Sequence, residues 1–455
     1  MNRNLLSLLV MASALVPAMV SETAAGPRSP GAAAMDTLTL EQAYEMVGDR
    51  YPLAEQVEMQ WQIRDLQIRN ADAGWLPELR LSALAQYQSD VTEIDIRLPA
   101  APDGFVTPTQ PKDRYQIALD LEQRLYDGGR ARSRRELEHS RTDVALNRIR
   151  VDQHELRNRV NDSWFAIHAL RAQQAALEVT KQDLTRRLQE ITSQVEHGAV
   201  PATQADIIRA EQLRITQQMR SLKAREKSAI SILSILLDTD LSGDIVLLMP
   251  EVPEWHEVPD LQDQSPGPDP RILPDFRQRP ETALFDAQRS ELMQQKELVT
   301  ASYRPRISAF GQAAYGRPGL NMFEESFQPW YIVGVRASWS IWNWGTAERE
   351  REILHIRQRL VGNQQEIFDR SMHAAVQHDL ERIAELREAI RTDQEIIALH
   401  ENIVRDAASR LEHGAITATE YISELTNRQR AVINRDLHRI ELARAWQDYL
   451  TTLGQ

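Results

Sequence analysis

The chain has 455 residues, 42% of them hydrophobic and 26% charged, with a formal net charge of -13. An acidic chain with no dense basic stripe makes few phosphate contacts, which excludes nucleic acid as its main partner. The absence of cysteine excludes disulfides, thiolate metal sites, cysteine nucleophiles and an N-terminal lipidated cysteine. Few aromatics (6%) and charges of both signs spread along the chain predict long helices with solvated faces.

Arg3, then an apolar run from Leu5 to Val16, then small residues and Pro17 have the pattern of a secretory leader. Cleavage could follow Ala18, Ala25 or Ala34, and Val16-Pro-Ala18 and the Ala32 to Ala34 run both fit the small-residue rule. The other reading, an uncleaved anchor, needs an apolar run of about 20 residues, and this one is far shorter. No later segment is long and apolar enough to span a membrane as a helix, so any membrane-spanning part must be made of strands.

The chain matches itself at fixed offsets. Pro52 and Pro280, Pro77 and Pro305, and Tyr87 and Tyr315 are each 228 positions apart. From Tyr115 and Tyr331 onward the offset is 216. It holds for Leu125-Tyr-Asp-Gly-Gly129 against Ile341-Trp-Asn-Trp-Gly345, and for Glu196-His-Gly-Ala199 against Glu412-His-Gly-Ala415. Two copies of one unit therefore differ by a single 12-residue length change (228 against 216), between Tyr87 and Tyr115. That stretch holds Pro99, Pro102, Gly104, Pro108 and Pro111 and reads as a loop.

The predicted layout is a leader over 1–34, a first repeat over 35–249, a Pro-rich acidic linker over 250–275 and a second repeat over 276–455. In the first repeat the expected helices are 38–74, 129–198 and 201–237, with strands at 78–89 and 113–126. In the second they are 278–302, 345–413 and 417–452, with strands at 305–316 and 330–342.

The strands alternate with period two. Leu79, Leu81, Ala83, Ala85 and Tyr87 oppose Arg80, Ser82, Gln86 and Gln88, and the other three strands follow the same rule. Such alternation over about 10 residues with aromatics near the ends fits strands with one lipid face and one wet face. Hairpins of a soluble β-sandwich alternate in the same way. If the strands do span lipid, four cannot close a barrel, since about eight is the practical minimum, and the subunit must pool its strands with neighbours.

The stretch from Gly129 to Gly198 contains no proline, enough for roughly 100 Å of helix. Leu170, Leu177, Leu184 and Ile191 recur at seven-residue spacing, as do Ile208, Ile215, Leu222, Ala229 and Leu236. Ile383, Ile390, Ile397, Val404 and Leu411 repeat it in the second half. A seam of this period predicts coiled-coil packing. Gly198 and Gly414 stand where a helix needs a left-handed C-terminal residue. Thr417 with Glu420 reads as a capping box, and Thr203 with Asp206 as a similar start in the first half.

His197 and His413 read as cations at helix C-termini rather than as metal ligands, because no partner ligands sit at usable spacing. His373 and His378 do not share a helix face. With no phosphate loop, nucleophile elbow or zinc motif, the chain is expected not to be an enzyme and to need no cofactor.

The residues resemble those of the TolC-type outer-membrane efflux and export channels. Leu38-Thr-Leu40-Glu-Gln-Ala43 with Tyr51-Pro52 is similar to the family's opening helix. Gly74-Trp-Leu-Pro77 and Tyr303-Arg-Pro305 resemble its helix-to-strand lead-ins, and Tyr126-Asp-Gly-Gly129 and Trp342-Asn-Trp-Gly345 its strand-to-helix exits. Asp206-Ile-Ile-Arg-Ala210-Glu211 resembles the start of its return helix.

The resemblance implies a mainly α fold with β: a duplicated helix–β-hairpin–helix-hairpin unit, a long coiled-coil α-barrel, and four strands per subunit in a shared transmembrane β-barrel. It implies a homotrimer in outer-membrane lipid of a Gram-negative cell, with a large periplasmic portion. Its partners would be a periplasmic adaptor (a membrane fusion protein) and an inner-membrane pump. The helix-turn tips, Gly198-Ala199-Val200-Pro201 and Gly414-Ala415-Ile416-Thr417, are the implied adaptor-docking sites. Glu420 falls on the first acidic gate position of the best-known member and Ser423 on the second, where the carboxylate is missing here. Leu411 replaces that member's gating tyrosine. The implied function is a passive gated conduit in a tripartite efflux or type I-like export system. The alternative is a periplasmic helical-hairpin adaptor or scaffold, in which a lipoyl-like β domain would flank one hairpin.

Overall fold

The computed structural model describes residues 37–91, 110–241, 245–253, 276–321, 324 and 326–455. The expected leader over 1–34, most of the Pro-rich loop after Tyr87 and nearly all of the 250–275 linker lie outside the described residues.

The first repeat opens with β1 (Thr37–Leu38), α1 (Leu40–Arg50) and α2 (Leu53–Ala73). The single helix expected over 38–74 is thus two helices. Tyr51 is extended (φ -65°, ψ 144°) because the ring of Pro52 disfavours a helical residue before it, and Pro52 has no N–H to continue the ladder. Thr39 starts α1 with a reciprocal capping box to Gln42. Then follow β2 (Glu78–Tyr87), β3 (Asp113–Tyr126), α3 (Arg130–Glu196), α4 (Ala202–Leu237) and β4 (Val246–Leu247). β1 and β4 form a short parallel pair that the sequence pattern does not announce.

In the second repeat a short 3-10 turn (Phe276–Gln278) precedes α5 (Pro280–Ser302), with Pro280 at the first helical position, where its missing N–H costs nothing. β5 (Arg306–Arg317), β6 (Gln328–Ser338), α6 (Thr346–Glu412) and α7 (Ala418–Leu453) complete the chain. β6 ends four residues before the expected 342, so Trp339 to Trp344 belong to the strand exit.

The fold preserves the duplication. α3 and α6 each have 67 residues, and α4 and α7 each have 36. The hairpin registers agree too. Ala85 faces Tyr115 in the first hairpin and Ala313 faces Tyr331 in the second, matching the 228 and 216 offsets. The length change therefore falls wholly in the loops at the hairpin ends.

Three apolar clusters hold the helices together. Around the short strands, α1 packs on the middle of α3 and the end of α4 through Leu40, Val160, Trp164, Leu233 and Leu237. Phe276 joins α6 and α7 through Ile383, Leu386 and Tyr449. Toward the helix turns, the heptad residues Leu177, Leu184 and Ile191 of α3 and Ile208, Ile215 and Leu222 of α4 meet Val404, Leu411, Tyr421 and Leu425 of α6 and α7. Four helices thus share one seam. Leu184 is fully buried in it, so Leu184→Ala is expected to cost about 2–5 kcal/mol. Urea unfolding followed by circular dichroism measures this; a cost below about 1 kcal/mol would show that the seam collapses around the missing side chain.

Candidate functional site: a two-faced sheet and the helix-turn tips

β2, β3, β5 and β6 form one antiparallel sheet in that order. Its register sorts the side chains into rows. Leu81, Leu119, Ala313 and Tyr331 lie side by side across all four strands, as do Leu79, Leu121, Gly311 and Val333. This face has no cover: Leu81, Val333 and Tyr331 are each more than 70% exposed. Uncovered apolar patches of this extent mark a surface that meets lipid or another protein.

The opposite face is wet. Asp120 accepts hydrogen bonds from Gln312 Nε2 (2.5 Å) and Ser82 Oγ (3.1 Å). Arg80 pairs with Glu78 at 2.7 Å, and the Arg336 guanidinium lies 4.9 Å over the Phe310 ring. Phe310 lies across Gly334, where a Cβ would stand 2.8 Å from the ring, so a side chain there would make the aromatic shift.

Aromatics frame the apolar band. Phe327 stacks against Tyr115 (6.3 Å) and Tyr315 (5.8 Å) at the hairpin end. At the helix end Trp339, Trp342 and Trp344 are exposed, with Trp342 edge-on to Trp344 at 5.8 Å. Aromatic girdles at both limits of an apolar band characterise strands that cross a bilayer. The outer edges of β2 and β6 have no partner strand among the described residues.

At the far end of the helices, α3 and α6 stop in the same way. Gly198 (φ 73°) and Gly414 (φ 69°) are left-handed, and the amides of Ala199 and Ala415 reach back to the carbonyls of Gln194 and Arg410 at 2.8 Å. His197 and His413 each place Nδ1 at 2.7–2.8 Å from the carbonyl four residues earlier, so each ring caps a helix end, as expected.

The starts of the return helices differ. Thr417 and Glu420 form the expected capping box. Glu420 Oε2 accepts from the Thr417 amide (2.7 Å) and hydroxyl (3.0 Å). These bonds, the backbone one first, hold the Glu420 carboxyl below the ordinary carboxylate range. The expected box of Thr203 with Asp206 does not form. Pro201 is the N-cap of α4 without a side-chain bond, and Asp206 pairs with Arg209 at 3.1 Å. The repeat explains the change: Pro201 stands where the second half has Thr417 (offset 216), and proline carries no hydroxyl to cap with.

Gln204, the counterpart of Glu420, instead accepts from the Ala418 amide at 2.7 Å, and Gln194 Nε2 donates to the Glu412 carbonyl at 3.2 Å. The two turns are thereby tied into one tip. It presents Gly198, Ala199 and Pro201 beside Gly414, Ala415 and Thr417 as exposed residues, with Val200 and Ile416 half-buried between them. Ser423 is also exposed, three residues on from Glu420, without a carboxylate.

Behind the tip, α7 is tied to α3. Arg428 pairs with Asp183 at 2.6 Å, and Arg187 lies 5.6 Å over the Tyr421 ring. Burial raises the Tyr421 phenol pKa against the opposing pull of Arg187. Sequence reading misses these four residues. Asp183 and Arg428 stand 245 positions apart, and no local pattern pairs them.

The depressed Glu420 carboxyl contributes stability above its unfolded pKa, which is lost as pH falls through the folded value. Amide exchange at Ala418–Glu420 is therefore expected to accelerate, relative to intrinsic rates, as pH drops below the ordinary carboxylate range. Thr417→Ala should remove that dependence and cost about 1 kcal/mol. Exchange in the variant that still follows pH as in the wild type would contradict the capping account.

Residues 52–235 match the family described as outer membrane efflux protein. A comparison with curated proteins finds no match. Among solved structures the chain is similar to the outer membrane protein VceC of Vibrio cholerae, at TM-score 0.63 and 12% identity, covering 91% of this chain and 96% of that one. It is similar to the CmeC outer membrane channel of Campylobacter jejuni, at 0.62 and 14%, covering 91% and 85%. The open state of the MtrE outer membrane channel of Neisseria gonorrhoeae gives 0.60 and 15%, covering 91% and 88%. At these identities the structures share the fold, and the family match falls on its first repeat. Over residues 52–235 the chain matches the outer membrane efflux protein family, and over 91% of its length it shares the fold of outer membrane channel structures.

Proposed function

We propose that the chain is one subunit of a passive, gated outer-membrane conduit for efflux or type I-like export, powered from the inner membrane. The observation that carries this reading is the sheet: four strands, one uncovered apolar face, one hydrogen-bonded polar face and two open edges. In hydrocarbon each unpaired backbone group costs several kcal/mol, so such a sheet is tenable only when closed. β2 and β5 run away from the helices and β3 and β6 return. The β6 edge of one copy therefore meets the β2 edge of the next antiparallel, and rotation closes the ring.

A homotrimer would give a twelve-stranded barrel. Apolar stripes support contact between copies along the helices: Met59, Ile63 and Leu66 on α2, Ile353, Ile356, Leu360 and Ile367 on α6, and Leu213, Ile232 and Ile235 on α4 are exposed. Long helices project from the sheet, with α3 and α6 each about 100 Å long. They would carry the tunnel through the periplasm, and the tips at 198–201 and 414–417 would dock a periplasmic adaptor serving an inner-membrane pump. In a lone adaptor a β domain flanks one hairpin; here two hairpins alternate with strand pairs in one shared sheet, which favours the conduit.

The gate would lie at the tip. Glu420 and Ser423 are the expected positions, and the Arg428–Asp183 and Arg187–Tyr421 contacts hold α7 in place behind them. The purified protein in planar bilayers is expected to give small, salt-sensitive conductance and to run on gels as a heat-modifiable trimer from outer-membrane fractions. A soluble periplasmic monomer would end this reading. Arg428→Ala is expected to raise basal conductance several-fold. Glu420→Gln is expected to raise it only if the carboxylate lines the closed tip; unchanged conductance with a frayed α7 would leave Glu420 a capping residue.

A further inference from the structure

The two hairpins are copies of one unit, so the contact between them inside a chain is a template for the contact between chains. Within the chain β3 lies beside β5, with Ile117 opposite Tyr315, Leu119 opposite Ala313 and Leu121 opposite Gly311. β6 is the repeat counterpart of β3 (offset 216), and β2 is that of β5 (offset 228). These counterparts are the two open edges of the sheet. Carrying the β3–β5 register across by those offsets sets Val333 opposite Tyr87 of the partner subunit, Val335 opposite Ala85 of the partner subunit and Ala337 opposite Ala83 of the partner subunit. Every one of these residues lies on the apolar face, so its rows run unbroken from copy to copy. A slip by one residue would turn one strand's apolar set to the wet side.

The helix end of this seam carries an independent anomaly. Trp344 is 78% exposed and adopts φ 54°, a left-handed conformation that costs a bulky residue free energy. Its repeat counterpart is Gly128 (φ 72°), where a Cβ would stand 2.6 Å from Arg304 Cβ. Arg304, on the lead-in to β5, donates from Nη1 to the Gly128 carbonyl at 3.1 Å. The counterpart of Arg304 (offset 228) is Leu76, which cannot donate and is 66% exposed. The Trp344 carbonyl is instead served from its own helix, by Arg349 Nη1 at 2.9 Å. Where the chain has a polar glycine–arginine junction, the open edges thus carry a matching tryptophan and leucine.

We propose that β6 of one copy pairs with β2 of the next in the register of the β3–β5 ladder, with Trp344 packed on Leu76 of the partner subunit at the periplasmic end of the seam. This inference rests on the reading of the protein as an oligomeric barrel. Because a side chain at 344 cannot take the 2.6 Å spacing of Gly128 to Arg304, the seam repeats the strand register while its helix end opens by the width of the indole. Trp344 then buries in the assembly a surface that the single chain leaves bare, and this burial offsets its backbone strain.

The chain has no cysteine, so introduced pairs report cleanly. Val335→Cys with Ala85→Cys, and Arg336→Cys with Leu84→Cys, sample the two alternating kinds of opposed pair. Within one chain two strands lie between β2 and β6, which sets them three strand spacings or about 14 Å apart, beyond a disulfide's reach, so any link joins copies. Oxidised membranes are expected to yield covalent dimers and trimers from at least one of these pairs, and none from Val335→Cys with Ala83→Cys. Trimers linked only through the slipped pair, or through none, overturn the register. A wild-type chain that is monomeric in its membrane overturns the oligomer reading itself. Trp344→Gly relieves the backbone, so a purely local role predicts an unchanged or higher dissociation temperature for the detergent-resistant trimer. Packing between copies predicts a lower one, with Leu76→Ala lowering it likewise and the double variant falling no further than the larger single effect.

Discussion

On the proposed reading of the sheet as part of a transmembrane barrel, the need to pair every backbone amide and carbonyl in hydrocarbon governs this molecule. Water can hydrogen-bond the open edge of a soluble sheet, but a bilayer core cannot. The four strands have a lipid-type face and two open edges, so a single chain is an unfinished object by its own chemistry. That explains why aliphatic and aromatic side chains on the sheet lie bare in the monomer while the helical seams beside it are well buried. It also explains the duplication. Two copies of one hairpin give a sheet whose left and right edges are complementary, which is what ring closure requires.

The helices answer a different problem, that of reach. Helices of this length cannot gather around one globular core, and the described apolar residues divide among three separate clusters. The narrow heptad seam leaves most of each helix polar, in keeping with a mean hydropathy of -0.46. At the tip the two turns are bound by two glutamines and α7 is bound to α3 by ion-pair and cation–π contacts. Polar ties would suit the gate proposed for this tip. They are specific in geometry, yet each gives up less free energy on breaking than a buried apolar seam does.

Some departures from the sequence-based expectation have local physical causes. Pro52 splits the first helix because the residue before a proline is driven to extended geometry. Pro201 leaves α4 without a hydroxyl cap, and Gln204 turns to the neighbouring hairpin instead. Pro52 is shared by its counterpart Pro280, whereas at Pro201 the two repeats diverge at one residue, and there the structure followed the residue rather than the repeat.

The chain's periodicities determined much by themselves. Alternation by two fixed the faces of the strands, spacing by seven fixed the buried residues Leu184, Ile208 and Val404, and the 228 and 216 offsets made the two hairpins equivalents of each other, as their matching registers show. Each of these is a local or repeating property, carried by neighbouring residues or by a second copy of the same pattern. What only the tertiary structure decided is non-local and unrepeated: the order β2, β3, β5, β6, the Arg428–Asp183 tie, the parallel β1–β4 pair and the strained, exposed Trp344. Such features depend on which surfaces meet when long helices lie side by side, and sequence spacing carries no record of a contact made once between positions 245 residues apart.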